Sequence, residues 1–205
     1  LSQGEAAPPK GLNTCFHPTP NMSGAMSVEP GDAAPDFSLP NSNQRVGSET
    51  MTLGDSMGEK GTVVVFTCNH CPYVVGSEGR IEAIAKKCRD LGLGFVGINS
   101  NDPVKYESDS WDNMVKRADR GMTYPYLHDS SQGVAIAYGA ERTPEFYLLD
   151  SERKVAYRGR MDDSPRDPSH ASTSELSDAI DQLLDGSEIT VERTDSIGCS
   201  VKWKV

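Results

Sequence analysis

The segment Cys68-Asn69-His70-Cys71-Pro72 is the part of this chain best equipped for chemistry. Two thiols with two residues between them can close a disulfide with each other and reopen it on a partner. The attacking species in such an exchange is the thiolate. A free cysteine titrates at about 8.5 and is mostly protonated at neutral pH, so its surroundings must favour the charge. The sequence offers two sources. An apolar run over residues 62–67 precedes the pair and Pro72 follows it, which predicts a buried strand, a turn and the first turn of a helix. Free N–H groups and the positive end of the helix dipole then favour a negative Cys68 sulfur. His70 adds a cation or a donor within the same turn. Cys68 is expected to be the exposed attacker and Cys71, one helical turn on, the resolver.

The same pair can be half of a zinc site. Cys88, Cys199, His128 and His170 are scattered and supply no second ligand pair, so the reading calls for no metal and no cofactor. A purely structural disulfide would close a loop too short to stabilise much. Cys88 falls on an apolar helix face and reads as a buried structural thiol. Cys15 lies in the N-terminal stretch. Cys199 lies in the C-terminal segment "GCSVKWKV", where it is either a third redox cysteine or a passive tail residue.

The elements that must position the pair follow from periodicity. Residues 36–54 suggest short strands or a hairpin. After Pro72, the residues Val74, Ile81, Ile84, Ala85, Cys88 and Leu91 share one helical face, with Gly92 and Gly94 as the stop. A strand is expected over 95–99 and a helix over 104–120, with Val104, Trp111, Met114, Val115 and Ala118 facing inward. A short strand over 123–127 and a helix over 131–138, capped by Ser130 or Ser131 and ended by Gly139, come next. Thr143-Pro144 introduces a strand over 145–149, which a turn returns as a hairpin over 155–159. Ser172 and Glu175 form a capping-box pattern before a final helix that ends at Gly186. Strands joined by helices and then a hairpin and helix imply an α/β mixed sheet with helices on both faces.

Composition sets the outer limits. The chain has 205 residues, 36% of them hydrophobic, with 19 glycines, 13 prolines and a net charge of −10. That length suits one domain with extensions: an arm over 1–30, a body over 31–186 and a tail over 187–205. An acidic chain repels phosphate backbones, which argues against nucleic acid as a partner. No apolar run is long enough to span a bilayer. Residues 1–24 lack the apolar core of a signal peptide, and Met26 could be a natural start. A cytoplasmic location is the expectation, with an extracytoplasmic one as the alternative. Five cysteines are too few and too unevenly placed for a disulfide scaffold.

The segments "VVVFTCNHCPYV", "ERTPEFYLLD", "YRGRMDD" and "GCSVKWKV" in this order resemble the thioredoxin-like branch of the alkyl hydroperoxide reductase and thiol-specific antioxidant superfamily. The likeness runs over about residues 28–205. It implies a thioredoxin fold with a peroxiredoxin-style strand-helix insertion before Thr143-Pro144, with Pro144 as the cis-proline facing the two cysteines. It also implies disulfide exchange with protein disulfide or dithiol partners and a separate recycling partner. Asn69, Pro72, Thr143 and Glu145 become candidates for substrate contact, with Glu145 a proton shuttle or a solvated strand-end carboxylate. Asn101 and Asp102 are expected to cap a helix or position substrate, and Arg160, Asp162 and Asp163 to order a loop. A redox potential less reducing than the roughly −270 mV of thioredoxin is expected. One departure stands out. Peroxiredoxins approach their reactive cysteine through Pro-x-x-x-Thr-x-x-Cys, whereas Gly61 and Val65 hold those positions here. Peroxide reduction is therefore the alternative to disulfide exchange, and a non-catalytic binding module the second alternative.

Overall fold

A computed structural model describes residues 27–205. Most of the expected arm, with Cys15 and Met26, lies outside the described residues. Its last residues, 27–30, are packed rather than free: Val28 is buried, and Ser27 and Glu29 are held by Arg158.

Ser38–Pro40 (β1) and Thr50–Thr52 (β2) form the expected small hairpin. Gly61–Phe66 (β3), buried along its whole length, is followed by Pro72–Val75 (α1), Glu78–Asp90 (α2) and Gly94–Asn99 (β4). Trp111–Ala118 (α3), Tyr126–His128 (β5) and Gly133–Tyr138 (α4) come next. Arg142–Thr143 (β6), Glu145–Asp150 (β7), Val155–Gly159 (β8), Glu175–Asp185 (α5) and Cys199–Ser200 (β9) complete the chain. The central sheet has the order β5-β4-β3-β7-β8. β3, β4 and β5 are parallel, and β7 and β8 run antiparallel to their neighbours. It is a mixed sheet in which β5 and α4 follow β4 along the chain and precede the closing hairpin, with β5 at the sheet edge.

Alternation along β3 divides the core. Val63 and Val65 point to the face covered by α1, α2, α3 and α5, where Cys68, Cys71 and Cys88 also lie. Val64 and Phe66 point to the other face, packed by α4 and the β1–β2 hairpin. One strand thus carries both halves of the core, and its C-terminal end delivers the cysteines.

Three local expectations are corrected. The helix after Pro72 is two helices, with Gly76 as the C-cap of the first. A side chain there would press on the backbone of Pro165 and Arg166, so the break falls where that loop packs. Leu91 is exposed at the end of α2. The helix expected over 104–120 shrinks to α3: Val104 is 89% exposed, and Glu107–Asp109 forms a 3-10 turn that aims Asp109 inward. Ser172 is no cap. It donates through its N–H and hydroxyl to Asp163, and Ser174 begins α5.

Candidate active site

β3 ends at Phe66, and the chain turns into the two cysteines with the Thr67 N–H still bonded to the Ile98 carbonyl at 2.9 Å. Cys71, not Cys68, is the N-cap of α1, and a four-residue helix has little dipole to offer the earlier sulfur. Thr143 joins the two thiols. Its hydroxyl lies 3.5 Å from Cys68 Sγ, and its carbonyl accepts from Cys71 Sγ at 3.2 Å. The Thr143–Pro144 peptide bond is cis, and both residues are buried.

Cys68 has no exposed surface, which overturns the expectation of an exposed attacker. The proton is also placed contrary to expectation. Cys68 is pushed up by sharing a hydrogen bond with Cys71, then by burial, then by the Asp109 carboxylate. Cys71 is pulled down by that same bond from Cys68, with help from the thiol and N–H of Cys199. In this closed, reduced geometry the Cys68 thiol is held above its ordinary value and Cys71 below it. The two sulfurs cannot ionise independently.

Asp109 was not marked by sequence reasoning, because the expected helix over 104–120 made it one more acid along that helix. It is fully buried. Oδ1 accepts from the Asn69 N–H at 2.6 Å and Asn99 Nδ2 at 3.1 Å, and Oδ2 accepts from Asn101 Nδ2 at 2.9 Å. His70 Nδ1 lies 2.6 Å from Oδ2, and the imidazole stacks on Tyr106 with ring centroids 5.3 Å apart. Ligand atoms of Cys68, His70 and Asp109 lie within 4.8 Å of one another. These three groups could hold a divalent cation, but Asp109 already has both oxygens engaged by amide donors. The arrangement is better suited to orienting His70 beside a sulfur.

The remaining candidates divide. Pro72 is exposed beside the pair. Asn69 spends its side chain on the scaffold, donating to the Ser108 carbonyl at 2.7 Å and accepting from the Tyr126 hydroxyl at 2.8 Å. Glu145 is neither shuttle nor solvated. It is buried, 2.7 Å from Arg158, and accepts from the N–H groups of Glu141 and Arg142. It shares the sheet face of Tyr147, away from the thiols. Asn101 and Asp102 instead anchor the tail: the Lys202 N–H donates to Asn101 Oδ1, and the Asp102 N–H donates to the Lys202 carbonyl, each at 2.8 Å. Arg160, Asp162 and Asp163 do order a loop, through Glu175, Arg80 and Ser172. Cys88 is buried, and burial pushes its thiol up to about 12.

Comparison with known proteins follows the same lines. Residues 29–176 match the family described as Redoxin. A putative peroxiredoxin of Mycobacterium tuberculosis strain H37Rv is 25% identical over 62% of this chain and 73% of its own length. A crystal structure described as an uncharacterized conserved protein from Geobacillus kaustophilus is 39% identical, covering 86% of this chain and 93% of that one at a TM-score of 0.79. A putative thiol:disulfide interchange protein DsbE from Chlorobium tepidum superimposes at a TM-score of 0.56 with 20% identity, over 78% of this chain and 98% of that one. Peroxidoxin BcpB from Mycobacterium tuberculosis does so at 0.52 with 23% identity, over 77% and 95%. At such identities these last two show the fold, which is that of thioredoxin.

Proposed function

The chain belongs to the Redoxin family, and from that premise we propose that it is an oxidoreductase that exchanges disulfides with protein partners through Cys68 and Cys71. The observation that carries this reading is the convergence of the two buried sulfurs on Thr143 at the end of a buried strand. Cys68 attacks a partner disulfide and forms a mixed disulfide, while one partner sulfur leaves as thiolate. As Cys68 attacks, its proton passes to Cys71, the sulfur whose pKa is drawn down. The departing thiolate then takes that proton, and Cys71 attacks the Cys68 sulfur. The second partner thiol leaves, and Cys68–Cys71 is the disulfide that remains. Burial of Cys68 means that the site must open for the first step.

Stabilising one thiolate of the pair stabilises the reduced form and makes the disulfide a stronger oxidant. Titration against glutathione is expected to place the pair less reducing than the roughly −270 mV of thioredoxin; a value at or below that figure would reject the thiolate argument. Insulin reduction is expected and should vanish in Cys68→Ser. Peroxide reduction is the second reading, favoured by the name of the curated relative. It lacks the proline and threonine that would flank the sulfur, since Gly61 and Val65 stand there. Faster peroxide consumption than insulin reduction would make it the first reading.

A further inference from the structure

Three thiols, not two, meet at Thr143. β9 pairs antiparallel with β6, and the register sets Cys199 opposite Thr143, the residue whose carbonyl accepts from Cys71. The approach is close: a Cβ on Gly198 would lie 2.1 Å from the Thr143 carbonyl oxygen, so only glycine lets the strand lie there. Cys199 packs against the buried cluster that holds Cys71. Beyond β9 the tail is held firmly. The Val201 N–H bonds to the Glu141 carbonyl at 2.9 Å, and the Lys204 N–H to Gln132 Oε1 at 2.9 Å. Accessibility separates the three sulfur residues. Cys68 and Cys71 are fully buried, while Cys199 is only half-buried.

We propose that Cys199 is a third redox thiol, which takes the disulfide from the buried pair as Cys71–Cys199 and presents it at the surface to a dithiol partner. This rests on the disulfide-exchange reading above. The Cys199 sulfur, deprotonated, attacks the Cys71 sulfur of the Cys68–Cys71 disulfide. A Cys71–Cys199 bond forms, the Cys68–Cys71 bond breaks, and Cys68 leaves with the electron pair and takes up the proton that Cys199 lost. The external dithiol then attacks the Cys199 sulfur. Cys71 departs as thiolate and the partner resolves its own mixed disulfide, so the oxidising equivalent leaves and three reduced cysteines remain. Cys71 suits the role of leaving group because its pKa is drawn below the ordinary thiol value, and a low-pKa thiol leaves faster. In the reduced form the Cys199 thiol is held up at about 11, by burial and then by Cys71. Oxidation of Cys71 removes that second contribution, while Lys202 and Arg142 continue to favour the Cys199 thiolate.

The experiment is disulfide mapping of Cys68→Ser, with Cys68→Ala as a second variant should the first fail to fold. Each is treated with one equivalent of diamide, blocked with iodoacetamide and digested without reduction. A Cys71–Cys199 peptide is expected. Recovery of both as alkylated thiols, or Cys71 joined to Cys15 or Cys88, overturns the relay. Wild-type protein treated alike separates the two claims: neither a Cys68–Cys71 nor a Cys71–Cys199 disulfide there sinks the proposed function, whereas a Cys68–Cys71 disulfide there without a Cys71–Cys199 link in the variants sinks the relay alone. Oxidised Cys199→Ser should also be re-reduced by dithiothreitol more slowly than wild type. An unchanged rate would count against Cys199 as the exit.

Discussion

Two buried carboxylates sit on opposite faces of the central sheet and are neutralised in different ways. Glu145 meets a permanent cation: Arg158 reaches Oε1 with Nε at 2.9 Å, and the same guanidinium bonds Glu29, the Val28 carbonyl and the Gly139 carbonyl. Asp109 meets no arginine within bonding distance. Its hydrogen-bond donors are backbone and side-chain amides, and the His70 ring nitrogen lies 2.6 Å away. An arginine cannot give up its proton in a protein, so the Glu145 site has one charge state and serves to pin the N-terminal residues to β8. The Asp109 site has no such fixed cation, and it lies beside the sulfurs. A fixed ion pair builds structure; a carboxylate held by amides alone, beside two thiols, belongs with chemistry.

The comparison is tested most severely at Arg158. Arg158→Met leaves Glu145 buried without its cation, and breaking a buried pair from one side costs about 3–5 kcal/mol. Urea unfolding should show a loss of that order, while the potential of the cysteine pair should stay where it was. A shifted potential with little loss of stability would mean that the two faces are coupled and that the division is wrong.

Asp109→Asn should cost less stability, about 1–3 kcal/mol, because the amide still fills the space but cannot accept from every donor. Its main effect is expected on the thiols. Asp109 holds the Cys68 thiol up, so removing its charge lowers the Cys68 pKa and shifts thiolate toward the first sulfur. Iodoacetamide labelling under unfolding-free conditions, followed by peptide analysis, should show a larger Cys68 share in the variant than in wild type. Glu145→Gln should leave that share unchanged, and an equal effect from both would erase the distinction.

The two carboxylates also show what the sequence could and could not display. β3 and β7 were legible because a short run of apolar residues needs no distant partner to be recognised as buried. The cysteine pair was legible because strand before and proline after are local signals. Glu145 was not: its cation comes from the next strand, and the length of the hairpin alone does not say which side chains meet. Asp109 was hidden more deeply. The expected helix over 104–120 gives way to a turn that wraps this one acid with donors from Asn69, Asn99 and Asn101, and side-chain satisfaction of that kind has no period. Cys68 was misjudged for a related reason. Its exposure is decided by Thr143 and by the loop that carries Asp109, both far along the chain, and its proton by Cys71 and Cys199 together. Cys199 was visible as a residue and invisible as a neighbour, since only the β6–β9 pairing brings it to Cys71.

A third kind of buried group completes the comparison and gives the smallest effect. Cys88 is buried with no counter-charge in contact, and burial pushes its thiol up to about 12 despite the positive charges of Lys87 and Arg89. A group so placed stays neutral in the folded chain. Above about pH 8.5 the unfolded chain releases this proton and the folded chain keeps it, so the folded form binds more protons and stability falls as pH rises. The fall runs from the unfolded value toward about 12. At its steepest Cys88 contributes about 1.4 kcal/mol per pH unit. Cys88→Ala should cost about 1 kcal/mol at neutral pH through lost packing, and should flatten the alkaline side of the stability curve by up to that slope. Unfolding measured at several alkaline pH values under reducing conditions decides it. A curve of unchanged steepness would place the alkaline proton release on other groups and leave Cys88 a packing residue alone.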